Sequence, residues 1–344
     1  MNIYKEVNIS HIARVAGMSL STVSRALRGD PATSKKTTEK ILKIARDLNY
    51  YPDYIARGLR QKKTNTVGII FNDPNNPFYT EILRVIDEVL TEKDYSMVVS
   101  YSNWNLERER KNIITLLSKR VDGVIISPIY DEDENLKILL ENQMETVLID
   151  CLPHFPNVNY VYTDNIRAGE IATEHLIKNG HKNIMLFTFA QKFSQVNTFE
   201  QGYMQTLQKY GIKVREELIV SAAESSIDCG YETFKKIITE NTTRKALDFT
   251  GIVTISDMFA IGIYEVANEM GIDIPGTYSV VGYDNIRFTK ALTPPLTTVH
   301  QPRRRIGLES ANILLHNINS EDKVIKNTTF EPYLVQRGSV KNIS

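Results

Sequence analysis

The chain has 344 residues, 42% of them hydrophobic and 24% charged, with 41 Lys+Arg against 41 Asp+Glu. That length allows two or three domains with an ample core. The absence of any run near ~18 apolar residues excludes a membrane span, and two cysteines in 344 residues exclude a disulfide scaffold.

The neutral total hides an asymmetry. Residues 1–63 hold 13 Lys+Arg and 5 Asp+Glu, a net of +8, so residues 64–344 carry −8. A basic head on an acidic body favours a polyanionic partner.

Met1-Asn2-Ile3-Tyr4-Lys5 is not followed by the apolar stretch of a signal peptide, which predicts a cytoplasmic protein. Asn8 is a candidate N-cap for a first helix, with Ile9, Ile12, Ala13 and Ala16 on one face. Gly17 ends that helix, and Ser19 caps a second one whose Val23 and Leu27 point inward. Leu20, Ser21, Ser24, Arg25 and Arg28 share the opposite face. Two short helices joined through a glycine turn make a helix-turn-helix, whose second helix enters a major groove. Ser34 caps a third helix over 35–48, with Ile41, Leu42, Ala45 and Leu48 as its predicted buried stripe. Asn49-Tyr50-Tyr51-Pro52 and the short segment Asp53–Arg60 follow.

The order Ile-Ala-x-x-Ala-Gly-x-Ser-x-x-Thr-Val-Ser-Arg-x-Leu, then Leu-Asn-Tyr-x-Pro, then Ala-Arg-x-Leu, resembles the LacI/GalR family of bacterial transcription regulators. Asn75-Asn76-Pro77-Phe78, Val121–Ile125, Asp164-Asn165-x-x-Ala168-Gly169 and Leu292–Val299 look like landmarks of the same family, so the resemblance runs the length of the chain.

Beyond the polar junction 61–65 the pattern becomes strands alternating with helices. Strands are predicted at 66–71, 95–101, 123–127, 146–151, 183–189, 217–222, 251–256 and 279–283, and a final one at Thr328–Gln336. Such alternation argues parallel sheets wrapped by helices, and its length argues two doubly wound lobes. The resemblance implies the same: a small all-α helix-turn-helix domain joined to a two-lobed α/β core of the periplasmic-binding-protein-like type. The expected boundaries are 1–52 for the DNA-binding domain and 53–63 for a hinge helix and linker. Residues 64–344 form the core, with one lobe about 64–163 and 299–329 and the other about 164–298 and 330–344.

On the second helix, Arg25 has the donors for a guanine edge, Leu20 suits a thymine methyl, and Ser21 is short enough for a base or a phosphate. The family pattern puts base readers at these three positions. A phosphate contact, or an ion pair with Asp30 or Asp47, is the other reading of Arg25. Thr22, Ser24, Lys36 and Tyr50 suit phosphates, which position without specifying. Residues 53–60 are too short for a helix stable alone in water, and Gly58 weakens it further. In the family this is the hinge that folds on DNA. Leu59 matches its minor-groove leucine, flanked here by Ala56 and Arg60.

Open α/β sheets bind ligands at the carboxyl ends of their strands. That rule proposes Asn72, Phe78, Tyr79, Ser127, Asp150 and Asp257 as effector contacts, with a strand-end cap as the alternative for each aspartate. Family sugar binders carry an arginine where Phe199 stands, three residues before Gly202. Phe199 therefore enters the candidate set as an apolar wall and suggests a less hydroxyl-rich ligand at that end. Members regulated by a phosphoprotein use a basic residue in the helix after Gln301-Pro302. Arg303-Arg304-Arg305 opens that helix, yet Asn312 holds the matching position, which weakens this alternative.

No phosphate-binding glycine loop, His-Glu-x-x-His or Cys-x-x-Cys occurs, and the six histidines do not cluster. No catalytic residue, metal site or cofactor is assigned. The reading is a homodimeric repressor of a palindromic operator, modulated by a small ligand such as a sugar or glycoside. A phosphoprotein-responsive regulator and a plain solute-binding protein are the alternatives, and no membrane partner is expected.

Overall fold

The computed structural model describes residues 7–50, 63–131, 134–153, 155–190, 194–241 and 248–344. It divides into Met1–Thr64 and Asn65–Ser344. The predicted hinge, with Ala56, Gly58, Leu59 and Arg60, lies outside the described residues.

The first unit contains α1 (Ile9–Ala16), α2 (Leu20–Leu27) and α3 (Lys35–Asp47). Its core is Ile12, Ala13, Ala16, Val23, Ala26, Ile41 and Ala45. Leu42 is 40% exposed, against expectation. The buried side of α3 runs through Ile41, Ile44, Ala45 and Leu48, the i, i+3, i+4, i+7 spacing, and Leu42 stands one residue off it.

The second unit holds two six-stranded sheets. The first sheet is built from β1 (Thr66–Phe71), β2 (Ser96–Tyr101), β3 (Gly123–Ile126), β4 (Thr146–Ile149), β5 (Asn159–Thr163) and β11 (Asn327–Phe330), in the order β11-β5-β4-β3-β1-β2. All its pairings are parallel. The apolar run of β1 is buried on both faces, as a central parallel strand requires. Val67, Ile69 and Phe71 join one layer, with α4 (Pro77–Glu92) and α11 (Arg303–Asn319). Ile70 joins the other, with α5 (Leu106–Ser118) and α6 (Glu134–Glu141).

The second sheet is β6 (Ile184–Phe189), β7 (Ile219–Ala222), β8 (Gly251–Thr254), β9 (Ser279–Asp284), β10 (Thr297–His300) and β12 (Tyr333–Val335), in the order β12-β10-β9-β8-β6-β7. The edge strand β12 is antiparallel to β10. Its helices are α7 (Asn165–Lys178), α8 (Ser194–Lys209), α9 (Ile227–Asn241) and α10 (Asp257–Met270).

Three differences from the predicted elements stand out. β5 and β10 are absent from the predicted alternation, because both are short and carry polar or aromatic residues where an apolar run would mark a strand. The predicted strand Thr328–Gln336 is two strands in different sheets, broken at Glu331-Pro332, where proline has no N–H to donate. The chain passes between sheets after Thr163, between His300 and Arg303, and between Phe330 and Tyr333.

Helices of the second lobe approach at backbone distance. A Cβ on Gly169 would lie 2.3 Å from the Phe199 carbonyl, and one on Gly202 would lie 2.1 Å from the Ile166 carbonyl. Reciprocal glycines thus set the α7–α8 crossing. Gly202→Ala must push the two backbones apart, an overpacking cost of about 1–3 kcal/mol. Urea unfolding should show a lower midpoint with an unchanged slope, and an unchanged midpoint would mean the crossing tolerates a methyl.

Candidate functional site

Two surfaces carry the candidate side chains. In the first unit, Asn8 Oδ1 accepts from the His11 amide at 3.0 Å, and Gly17 at φ +67° turns the chain out of α1. Ser19 Oγ accepts from the Thr22 amide at 3.2 Å and starts α2. With Val23 and Ala26 buried, α2 presents Leu20, Ser21, Arg25 and Arg28 to solvent, Leu20 at 51% exposure. Among the described residues Arg25 pairs with neither Asp30 nor Asp47. The hydroxyls of Ser21 and Thr22 lie 2.9 and 2.8 Å from Ser19 Oγ. Thr22 and Ser24 are half-buried, Lys36 is exposed at the start of α3, and Tyr50 packs partly on the domain core. Lys40 Nζ donates to the Ala16 carbonyl at 3.2 Å, which places a cation at the negative end of α1.

The second surface is the cleft between the lobes. Asn72, Ser102, Ser127 and Asp150 directly follow strands or stand one residue beyond their ends on the carboxyl edge of the first sheet. Asn72 accepts from Ser102 Oγ at 3.0 Å and donates to Ser127 Oγ at 3.4 Å, and the Tyr79 hydroxyl lies 3.2 Å from Ser127 Oγ. This network is buried and orients Tyr79. A deep cavity of about 20 Å³ lies beside it, enough for about one water. Phe78, Tyr79 and Asp150 line it with Asn76, Trp104, Phe189, Gln195, Ser225, Ile255, Ser256 and Asp284. An outer cavity of about 340 Å³ shares Trp104 and Ser225 with it, and Asn72 lines that one. Its size falls in the ~300–1,000 Å³ range of small-molecule sites. Ser127 lines neither cavity but touches Asn72 and Tyr79, which do.

Two expected contacts lie elsewhere. Phe199 is fully buried in the core of the second lobe, its ring 5.1 Å from that of Tyr283, and it lines neither cavity. An apolar ring is driven into the core, whereas a longer charged side chain would have had to reach out of it. Asp257 is also fully buried. Its Oδ1 accepts from Thr298 Oγ1 at 2.7 Å and its Oδ2 from the Ile286 amide at 2.8 Å. It pins the chain after β9, the strand-end role that was its alternative.

Asp284 takes the place expected for Asp257 and was missed. The strand rule that proposed Asp150 reaches Asp284 once β9 is one residue longer than predicted. Trp104 was missed too, although it is the chain's single tryptophan and sits between a strand and a helix. Gln195, Ser225 and Phe189 had no sequence signal.

Asp284 and Asn285 hold φ of +115° and +56°, a conformation that non-glycine residues rarely adopt. Their surroundings over-determine it. Arg303, 6% exposed as a side chain, donates to the carbonyls of Asp284 and Asn285 and to Glu81 Oε2 at 2.6 Å. Gln301 Nε2 donates to Asp284 Oδ1 at 2.8 Å. Arg303 belongs to a helix packed on the first sheet, so this guanidinium ties the lobes together directly behind the cavity. It is therefore committed within the fold. Arg305 lies over the Phe330 ring at 4.3 Å, Arg304 reaches Glu88 at 3.5 Å, and Asn312 is exposed.

Burial, reinforced by Asp284, holds the Asp150 carboxyl well above the usual carboxylate range. Burial pushes Asp284 up to about 7 from an ordinary 3.8, with Gln301 and Arg303 opposing it. A carboxyl raised by folding stabilises the fold fully below its unfolded value, and that contribution is lost as pH rises through the folded one. Asp284→Asn removes the titration. Its stability relative to the parent should therefore improve from pH 5 to pH 8 in urea titrations. A difference independent of pH would show that Asp284 folds with an ordinary pKa.

Known proteins share this arrangement. The profile of periplasmic binding proteins and the sugar-binding domain of the LacI family matches residues 64–337, and that of bacterial regulatory proteins of the lacI family matches residues 8–53. The chain is 28% identical to the ribose operon repressor of Escherichia coli (strain K12), over 95% of this chain and 98% of that one. It is 30% identical to the HTH-type transcriptional repressor PurR of Photobacterium profundum, over 98% and 99%. A LacI family regulator from Enterococcus faecalis V583, solved with bound ribose, superposes with a TM-score of 0.71 at 27% identity, over 81% of this chain and 100% of that one. With a helix-turn-helix unit, two wound lobes and a ligand-sized cleft between them, the chain belongs to the LacI family of bacterial regulatory proteins.

Proposed function

We propose that the protein is a homodimeric repressor that binds a palindromic operator in the cytoplasm and responds to a small carbohydrate-like effector, which it returns unchanged. The observation that carries this reading is the face of α2. Its buried side is locked to α1 and α3, while Leu20, Ser21 and Arg25 stand exposed on a segment of net charge +8. These three are the proposed base readers. Thr22, Ser24, Lys36 and Tyr50 would take phosphates, and Leu59 with Ala56 and Arg60 the minor groove at the operator centre. Both curated relatives are named repressors, which supports the sign.

The effector would lie between Phe78, Tyr79 and Trp104, with Asp150 and Asp284 accepting from its donors and Asn72 at the mouth. It acts by preferring one arrangement of the lobes, and shifts operator affinity by no more than its difference in affinity for the two. The phosphoprotein alternative gains no support from Arg303, which is used within the fold.

DNA selected from a random pool should converge on two half-sites related by a two-fold axis. Affinity should fall steeply with salt. Arg25→Ala should lose about 1–3 kcal/mol and relax preference at one base pair per half-site. Equal loss on random and selected DNA would reduce Arg25 to a phosphate contact, and a pool without convergence would remove the reading itself.

A further inference from the structure

The described residues lining the two cleft cavities include five carboxylates, Asp73, Asp150, Glu224, Asp228 and Asp284, and no lysine, arginine or histidine. Acidic side chains alone make no site, but two other observations point into the same space. Ser225 is 4% exposed, lines both cavities, and its Oγ has no hydrogen-bond partner. Asp150 Oδ1 is buried too, and the one donor beside it is the otherwise unpaired amide of Asn165. A buried hydroxyl left unpaired is costly and calls for a polar ligand group, which it can meet as donor or as acceptor. The walls between them are aromatic: Trp104, Phe189, Phe78 and Tyr79.

This chemistry discriminates among ligands. Burial and mutual repulsion hold both carboxyls toward the protonated form, so ionising the pair in this site requires a counter-charge. A neutral hydroxyl satisfies one oxygen and supplies no counter-charge. A phosphate would bring like charge into a cavity with no cation among its described walls. An ammonium donates three hydrogen bonds, neutralises the charge, and is attracted to the faces of tryptophan and tyrosine.

We infer that the effector carries a basic nitrogen on a small polyhydroxylated frame, an amino sugar or amino polyol, with its ammonium between Asp150 and Asp284 and its ring against Trp104. This rests on the reading that the cleft holds the effector, and it names that effector's class.

The test titrates the full-length protein by calorimetry with matched sets in the gluco and galacto series: the free hexose, the 2-amino sugar, the N-acetyl amino sugar and the 6-phosphate. The amine should bind at least about ten-fold more tightly than its neutral partners, and the phosphate least. Asp150→Asn should erase the amine's advantage while any residual binding of the neutral sugar persists, and Asp73→Asn at the mouth should reduce it in part. A neutral or phosphorylated sugar binding as tightly as the amine overturns the inference. So does an amine preference that survives Asp150→Asn, or a panel with no binder. Operator binding measured on the same samples separates the two readings. Release or tightening by a neutral sugar keeps the ligand-responsive regulator and discards the amine, whereas absence of any operator binding discards the regulator.

Discussion

The buried guanidinium of Arg303 is the constraint on which the cleft depends. It sits on a helix packed against the first sheet and donates to two consecutive carbonyls, those of Asp284 and Asn285, at the end of a strand in the second sheet. Holding those two residues at positive φ costs on the order of 1–3 kcal/mol each. Hydrogen bonds to a charged group contribute about 1.5–3 kcal/mol each and offset that cost. Gln301 and Asp257 add bonds to the same turn, both at 2.8 Å, and Thr298 Oγ1 accepts from the Asn285 amide at 3.3 Å. The carboxylate of Asp284 is thereby aimed at the cavity, and the lobe spacing is tied to the backbone that carries it.

The polar groups at the strand ends fall into two kinds. Asn72, Ser102, Ser127 and Asp257 spend their hydrogen-bonding capacity on one another, on the Tyr79 and Thr298 hydroxyls or on backbone, and they build the wall. Ser225 Oγ remains unpaired at the cavity, and Asp150 lines it with only the Asn165 amide beside its Oδ1. Residue type does not separate the two kinds, since each includes an aspartate and a serine. The partner supplied by a distant segment does.

Helices of the second lobe meet at backbone distance. α7 and α8 meet through Gly169 and Gly202, and α9 and α10 meet through Gly230 and Gly262, where a Cβ on Gly262 would lie 2.3 Å from the Ile227 carbonyl. Backbones this close leave little room for the helices of each pair to slide past one another.

The helix-turn-helix was legible almost to the residue, because its signals are local: Asn8 and Ser19 as caps, Gly17 as the turn, and apolar residues at helical spacing. Leu42 was misplaced only because adjacent leucine and isoleucine are equally apolar and one residue of phase decides which is buried. The alternating strands and helices of the core were legible for the same reason, and short strands such as β5 and β10 were not, since pairing rather than composition makes them strands. The sequence by itself therefore determined the DNA-binding unit, the two wound lobes and the edge of each sheet at which a ligand would lie. Only the tertiary structure decided that Asp284 and Trp104 face the cavity while Asp257 and Phe199 turn into the fold. That choice depends on Thr298, Ile286, Tyr283 and Arg303, residues brought to the strand ends from elsewhere in the chain, and no local pattern records their arrival.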